Sequence, residues 1–380
     1  MELIYVFIGL GILALSIGIW DYLISKEHQQ IIVSERIIIG KKTFMFFLAF
    51  LVLSCQSEKS ERTLINDFSF DIPLVNDIED LFGQKARVIQ LDTITEALVG
   101  RIYKLIKHEN HFYILSEERR ILHFDNDGKF ISSLEKKGGG PGEYTRIDDF
   151  NLITKNGNIE LWICDNKRIC KYVRSGNSWD FAGTIDFDFE INKFKFISDE
   201  HILFLTGQDE SLLLTDITGT QIRTYLKREI IPLIFYPVQF VYYDSCIIYK
   251  LGASNECISI DTKDYSFERI KIVDNEQFLS SKDVLDMIDK FGYSYGLELH
   301  NTIYIVGFRN INGTVLLYYY YHGVDYVAVR QQSVWKRMKN DKEKKSGLGR
   351  LIMSDSFDSF ITYEYPEDDA LNLILYEYIQ

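Results

Sequence analysis

From about residue 95 onward the chain repeats a single theme: an apolar run, a polar turn, a returning run, and then a second such pair. The first copy runs through 102–106, a turn at His108, Glu109 and Asn110, and 111–115. It continues with 121–124, the turn Asp125, Asn126, Asp127, Gly128, and 129–131. Asp, Asn and Gly supply the positive backbone angles that tight hairpins need. The second copy pairs 150–153 with 159–163 and then turns 170–173 at Ser175, Gly176 and Asn177. The third has 194–197, 202–205 and 212–214, turning at 216–219; the fourth has 238–241, 246–249 and 257–260, turning at 261–264. The fifth has 302–306 and 315–319, and the sixth runs from 360–364 to 373–376.

Six such units at periods of about 40–45 residues suit radial repetition. A four-stranded sheet cannot bury both of its faces alone, whereas blades stacked around an axis bury them and leave only short edges. The expected fold is therefore all-β: a six-bladed β-propeller with four-stranded antiparallel blades. A pair of β-sandwiches or a solenoid accounts for six repeats of this size less well. The 24 Tyr and 26 Phe residues lean the same way, because aromatics favour pleated, half-buried surfaces. Two inserts lengthen the later repeats. Residues 280–290 place Val284, Leu285 and Ile288 at helical spacing behind a capping serine, and 334–347 read as a polar, basic excursion.

Two apolar runs precede the repeats. Residues 3–24 are long enough to span a bilayer. Residues 44–53 are too short for that but have the length of a signal-peptide core, with Lys41 and Lys42 just before them. This second run ends in Val52, Leu53, Ser54 and Cys55, which resembles the lipobox of bacterial lipoproteins. The resemblance implies cleavage before Cys55 and a diacylglycerol on its thiol. The chain then divides into an upstream apolar segment 1–40, a lipoprotein signal peptide 41–54, a tether and leading strand 55–90, and the propeller 91–380. Segment 1–40 is either an over-extended start, which the internal position of the lipobox favours, or an extra transmembrane helix.

The most distinctive motif is Gly138, Gly139, Gly140, Pro141, Gly142, Glu143 and Tyr144, followed by Ile147 to Phe150. Consecutive glycines adopt backbone angles barred to other residues and let chains approach closely near a crowded axis. Pro141 stiffens the turn, and Glu143 is placed to cap neighbouring amides. A phosphate-binding loop would continue with Lys and Ser or Thr into a helix, but here Glu and Tyr lead into a strand. With the lipobox and the first repeat, this motif resembles the bacterial six-bladed β-propeller lipoproteins, a family related to the NHL-repeat propellers. In those, such a segment carries the chain from the outer strand of one blade to the inner strand of the next. The resemblance brings no catalytic residues with it.

Several residues are candidates for chemistry. Asp148 and Asp149 stand at the expected start of an inner strand, where they would lie near the mouth of the central channel as ligand contacts. His108, His111 and His123 are close in sequence and suit either a metal or acid–base cluster or ordinary surface positions, while His201, His300 and His322 are scattered. The basic run Lys336, Arg337, Lys339, Lys342, Lys344, Lys345 and Arg350 suits an anionic surface or a solvated insert, and Tyr318 to Tyr321 suit sugar stacking or blade packing. Beyond Cys55, Cys164, Cys170, Cys246 and Cys257 are too sparse for a disulfide scaffold, lack the spacing of a zinc site and read as buried thiols. No metal ligand set and no cofactor is specified. A net charge of −13 argues against nucleic acid as a partner. There is no Gly-x-Ser-x-Gly elbow and no His-Glu-x-x-His helix. The expected function is thus a lipid-anchored module on the periplasmic side or cell surface, binding a peptide, glycan or protein partner. The alternative is a metal-dependent hydrolase or lyase with its site at the central channel.

Overall fold

The computed structural model describes residues 62–207, 210–227, 239–340, 351–352, 358–365 and 373–379. The signal segment and Cys55 lie outside them. Six small sheets form a ring, a six-bladed β-propeller. Blade 1 is Ile102–His108, His111–Ser116, Ile121–Phe124 and Phe130–Leu134, from the axis outward. Blade 2 is Asp149–Lys155, Asn158–Asp165, Arg168–Ser175 and Ser178–Asp186. Blade 3 is Ile191–Phe196, His201–Thr206, Glu210–Asp216 and Gln221–Lys227. Blade 4 is Phe240–Tyr243, Cys246–Lys250, Glu256–Asp261 and Phe267–Val273. Blade 5 is Ile303–Ile311, Thr314–Tyr321, Val324–Gln331 and Val334–Lys339. Blade 6 takes Leu351–Ile352, Ser359–Glu364 and Ile374–Ile379 from the end of the chain.

The outer strand of blade 6 comes from the other end of the sequence. Arg87–Gln90 pairs antiparallel with Ile374–Ile379, matching Gln90 to Ile374 and Arg87 to Glu377. The stretch before it forms a belt. Thr63–Ile65 adds a parallel fifth strand outside blade 4, and Leu74–Val75 does the same outside blade 5. A short helix, Ile78–Phe82, follows, with Asp77 capping its start and Gly83 ending it at φ +65°. Between the two belt strands, Phe68 and Phe70 pack edge-on or tilted against Phe278, Tyr319 and Trp335. The belt therefore buries its own aromatics on the blades it crosses, so part of the stretch expected to be tether contributes core.

The seams between blades are apolar. Between blades 1 and 2 they hold Ile106, Tyr113, Tyr144, Phe150, Leu161, Tyr172 and Trp179. Between blades 2 and 3 they hold Trp162, Phe194, Phe196 and Phe204. The sequence-expected helix forms as Ser281–Phe291. Ser280 and Asp283 make a reciprocal capping box, Val284 is fully buried, and Leu285 and Ile288 pack on the blade 3–4 seam. The four domain cysteines are buried free thiols. Among the described residues no helix is long and apolar enough to cross a membrane.

One segment differs from its sequence reading. The basic excursion begins as a strand: Val334–Lys339 is an outer strand of blade 5, with Trp335 and Met338 buried. Its cations serve local contacts, since Lys336 donates to the Asp80 carbonyl at 2.8 Å and Arg337 lies over the Tyr326 ring. Lys342, Lys344, Lys345 and Arg350 lie outside the described residues. The tyrosine run splits between two faces, as alternation along a strand requires. Tyr319 and Tyr321 meet belt residue Phe70, while Tyr320 packs on Tyr304 on the other side.

Candidate functional site

The glycine-rich segment is the crossover from blade 1 to blade 2. It joins the outer strand Phe130–Leu134 to the inner strand Asp149–Lys155. Glu143 folds back on it, and its carboxylate accepts the Gly140 amide at 2.8 Å. A β-carbon on Gly138 would fall 1.9 Å from that carboxylate. Gly142 stands at φ +75°, where a β-carbon would come within 2.9 Å of the Phe181 ring. Its carbonyl accepts from the buried Tyr172 hydroxyl at 3.1 Å. These residues fasten the crossover, and none of their contacts forms a phosphate cradle.

Asp149 lies where the crossover enters the inner strand. It is 1% exposed. One of its oxygens accepts from Lys104 Nζ of blade 1 at 2.8 Å, and the other accepts from the Phe194 amide of blade 3 at 3.0 Å. Lys193 Nζ approaches to 3.9 Å. Lys104 also donates to the Phe150 carbonyl, so one carboxylate ties three neighbouring inner strands. Burial pushes the Lys193 ammonium down, and Asp149 opposes that effect. Asp148 is less buried. It accepts from Arg146 Nε at 2.5 Å and from the Asn166 amide at 3.0 Å. Both aspartates are thus engaged by the protein's own donors.

A cleft opens towards the other end of the same inner strands. It has a volume of about 230 Å³ and receives residues from four consecutive blades. Ile106 and His108 come from blade 1, Asn151 to Thr154 from blade 2, Lys195 to Asp199 from blade 3, and Tyr242 from blade 4. Because each wall is the end of an inner strand, the cleft is held by the ring itself and not by a long loop. Lys195 is 7% exposed, and its ammonium lies 5.0 Å from the centre of the Tyr242 ring. The Tyr242 hydroxyl donates to the Phe196 carbonyl, and Asn151 Nδ2 donates to the Phe194 carbonyl at 2.7 Å. The polar floor is therefore fixed by hydrogen bonds to blade 3.

His108 forms one wall. Its Nε2 lies 2.9 Å from Thr154 Oγ1, and that hydroxyl donates to Glu109 at 2.6 Å. With its own proton given to Glu109, the Thr154 oxygen accepts, so His108 carries its proton on Nε2. Burial pushes the His108 imidazole below its usual value; Glu109 pulls it back up, and Lys195 and His111 add to the depression. The ring is therefore neutral at pH 7.

The other two histidines of the sequence cluster share blade 1 with it. His111 sits opposite His108 across the first hairpin, and its Nδ1 is 3.0 Å from His123 Nε2. His123 is buried and stacked on Tyr113 at 4.4 Å, and burial with Arg174 nearby pushes its pKa down to about 3. His201, His300 and His322 bond elsewhere, to Tyr265, Tyr320 and the Asn301 carbonyl. Among the described residues no three His, Cys, Asp or Glu side chains are grouped to hold a metal. The sequence reasoning missed Asn151, Lys195, Ser198 and Tyr242 as cleft residues. The only signal available was that each lies in or just beyond an inner strand.

The pattern of the family described as Domain of unknown function (DUF4934) matches residues 75–372, and the chain belongs to that family. No curated protein matches the sequence. Among solved structures, the chain is similar to a Bacteroides fragilis protein provisionally named as exported. The two share 15% identity and a TM-score of 0.65, over 84% of this chain and 100% of that one. It is also similar to a DUF4221 family member of Bacteroides vulgatus, with 8% identity and a TM-score of 0.51, over 78% of this chain and 97% of that one. At these identities the likeness establishes the fold.

Proposed function

We propose that this DUF4934 protein is an exported, lipid-anchored propeller that binds a partner through the cleft at the ends of its inner strands. The cleft carries the reading. Four blades converge on it with an aromatic ring, a buried ammonium, an amide and two hydroxyls, each held by the rigid ring. Such a mixture orients a ligand through a few polar contacts on an apolar base. A volume of about 230 Å³ suits one side chain of a partner protein or peptide, or one sugar unit of a glycan. Export and anchoring rest on the signal core 44–53 and Cys55, and the name of the Bacteroides fragilis relative agrees with export. Kinship with the NHL-repeat lipoproteins belongs to the same proposal and rests on the lipobox and the glycine-rich crossover. A metal-dependent hydrolase or lyase at the axis would require a ligand set beyond what the described residues bring together.

The test is capture of peptides and glycans on arrays by the mature protein and by a Ser198→Trp variant, whose indole would fill the cleft. Binding lost in the variant at an unchanged melting temperature supports the reading, and equal binding by both forms overturns it. Separately, Cys55→Ala should move the protein from the membrane to the soluble fraction; continued membrane association would sink the anchor.

A further inference from the structure

The chain reaches the ring at the outer edge of blade 4, and its point of arrival is fixed. The Lys271 amide donates to the Arg62 carbonyl at 3.0 Å, then Thr63 pairs with Lys271 and Ile65 with Val273. Because Thr63–Ile65 runs parallel to Phe267–Val273, the chain enters from the side where that outer strand starts. Arg62 points the same way, bonding to Glu268 at 2.6 Å, next to Phe267. Strands reverse three times within an antiparallel blade, so every outer strand starts on the face at which its inner strand ends. Phe267 opens the outer strand of blade 4, and Ile222 stands second in that of blade 3, Gln221–Lys227. Both therefore lie towards one face of the ring, and they are 48% and 49% exposed. Tyr225 of blade 3 packs edge-on against Phe267 at 5.3 Å, and Arg223 donates to the Tyr265 carbonyl at 2.7 Å, so the two edges form one rim.

The chemistry of this rim narrows what meets it. Its charges answer one another: Arg62 bonds to Glu268, Arg269 to Glu256 at 2.6 Å, and Lys263 stands beside Asp264 in the adjoining turn. The rim is neither basic nor acidic. Around the two exposed apolar side chains stand Tyr225 and Tyr265, whose hydroxyls keep polar partners, the Tyr265 carbonyl at 3.1 Å and His201 at 2.9 Å. Apolar side chains ringed by tyrosines and long cations suit the boundary of a lipid bilayer, where apolar bodies enter and polar tips stay in water. The anchor brings a bilayer to this place. Arg62 follows Cys55 by seven residues, and an extended chain advances at most about 3.5 Å per residue, so a lipid on Cys55 lies within about 25 Å of Arg62. In a ring of six blades, blade 1 stands opposite blade 4, on the far side from that tether.

We propose that the rim of blades 3 and 4 around Phe267 and Ile222 rests on the lipid bilayer that holds Cys55. This rests on the anchor reading and adds to it the edge of the ring that meets the membrane. The test uses the lipid-bearing mature protein in phosphatidylcholine vesicles, with lipid brominated near the top of its acyl chains as a short-range quencher of tryptophan. Phe267→Trp puts the probe on the rim. Ile94→Trp puts it at a residue 51% exposed on the far side, two positions beyond Asp92, which accepts the Phe130 amide of blade 1. Trp162, Trp179 and Trp335 are buried and give a constant background. Circular dichroism confirms that each variant is folded, and intact mass reads the lipid on Cys55. A protein without that lipid refutes the anchor and the proposal with it. With the lipid present, the added emission of Phe267→Trp should be quenched at least about twofold more than that of Ile94→Trp, and Ile222→Asp should lower the rim quenching, since membrane contact scales with the apolar area buried. Added phosphatidylglycerol should change little, because the rim's charges are paired. Rim emission that is unquenched, as with a second copy or another protein seated there, overturns the proposal and leaves the anchor standing. So does quenching no greater than at Ile94→Trp, quenching indifferent to Ile222→Asp, or quenching seen only with phosphatidylglycerol.

Discussion

Replacing Asp149 by Asn tests whether one carboxylate holds three blades in register. The substitution keeps the shape of the side chain and an oxygen for the Phe194 amide, removes the charge, and turns the acceptor that faces Lys104 into an NH2 donor. Lys104 then keeps a single partner, the Phe150 carbonyl, with its side chain 5% exposed. Lys193 keeps the Asp148 carbonyl at 3.3 Å. Removing one member of a buried pair costs about 3–5 kcal/mol, because the surviving charge stays desolvated. The second acceptor on Lys104 puts the expected loss near the lower bound, about 3 kcal/mol. For a domain this large that lowers the melting temperature by roughly 5 °C. The matching assay is a double-mutant cycle with Lys104→Met, followed by thermal and urea unfolding. With the ammonium gone, Asp149→Asn should cost about 1 kcal/mol, giving a coupling of about 2 kcal/mol. Additive effects, or a single-mutant loss below about 1 kcal/mol, would refute the reasoning that this pair links the blades.

Three further outcomes follow from the same geometry. Gly142→Ala places a β-carbon at φ +75° and 2.9 Å from the Phe181 ring; it should cost about 2 kcal/mol, seen as a lower melting temperature, and an unchanged melt would sink the tight-crossover account. His123→Phe keeps the stack on Tyr113 and removes a buried base whose folded pKa, about 3, lies below the ordinary histidine value. The unfolded chain binds the proton first, so wild-type stability falls as pH drops from about 6.5 towards 3. The variant should show a flatter acid limb in unfolding curves, and an identical slope would count against it. Lys250→Met removes an ammonium that burial pushes down to about 7 and that donates to the Gly252 carbonyl. The charge is costly to keep at pH 7 and below, so the gain in melting temperature should be largest there and shrink as pH rises towards the ordinary lysine range; a gain independent of pH would contradict this.

What the sequence made legible was whatever a local rule governs. The hairpin turns at Asn110, Gly128 and Gly157 stand at positive φ, which is why Gly, Asn and Asp punctuated the repeats so clearly. The helix behind Ser280 was legible because a capping box and an apolar stripe are both short-range signals. The last strand of blade 5 was hidden, because Lys336, Arg337 and Lys339 mask the alternation that buries Trp335 and Met338. The belt was hidden for another reason. Its strands are three and two residues long, too short to carry a period, and they pair with partners more than two hundred residues away. The cleft was illegible in principle. Ile106 and Tyr242 line one cleft only because the ring arranges blades 1 and 4 around a common axis, and no pattern within either blade records the other. Asp149 was found by position, but its role depended on Lys104 and on the Phe194 amide, each some forty-five residues distant.

The two halves of the ring are held by different means. Blades 4, 5 and 6 carry the belt, whose strands and aromatics lie along their outer edges. Among the described residues blades 1, 2 and 3 have no added outer strand, and this is the half in which Asp149 joins Lys104 to the inner strand of blade 3. Where the belt ends in blade 6, Lys107 of blade 1 reaches across to Glu377 at 2.8 Å, on the strand that receives Arg87–Gln90. Buried ion pairs are poor sources of net stability but are strongly penalised when mispaired. They are therefore suited to setting the register of blades that nothing clamps from outside. The axial cleft spans the unbelted blades and the first belted one. Perturbing Asp149 should consequently alter the cleft more than perturbing the belt does.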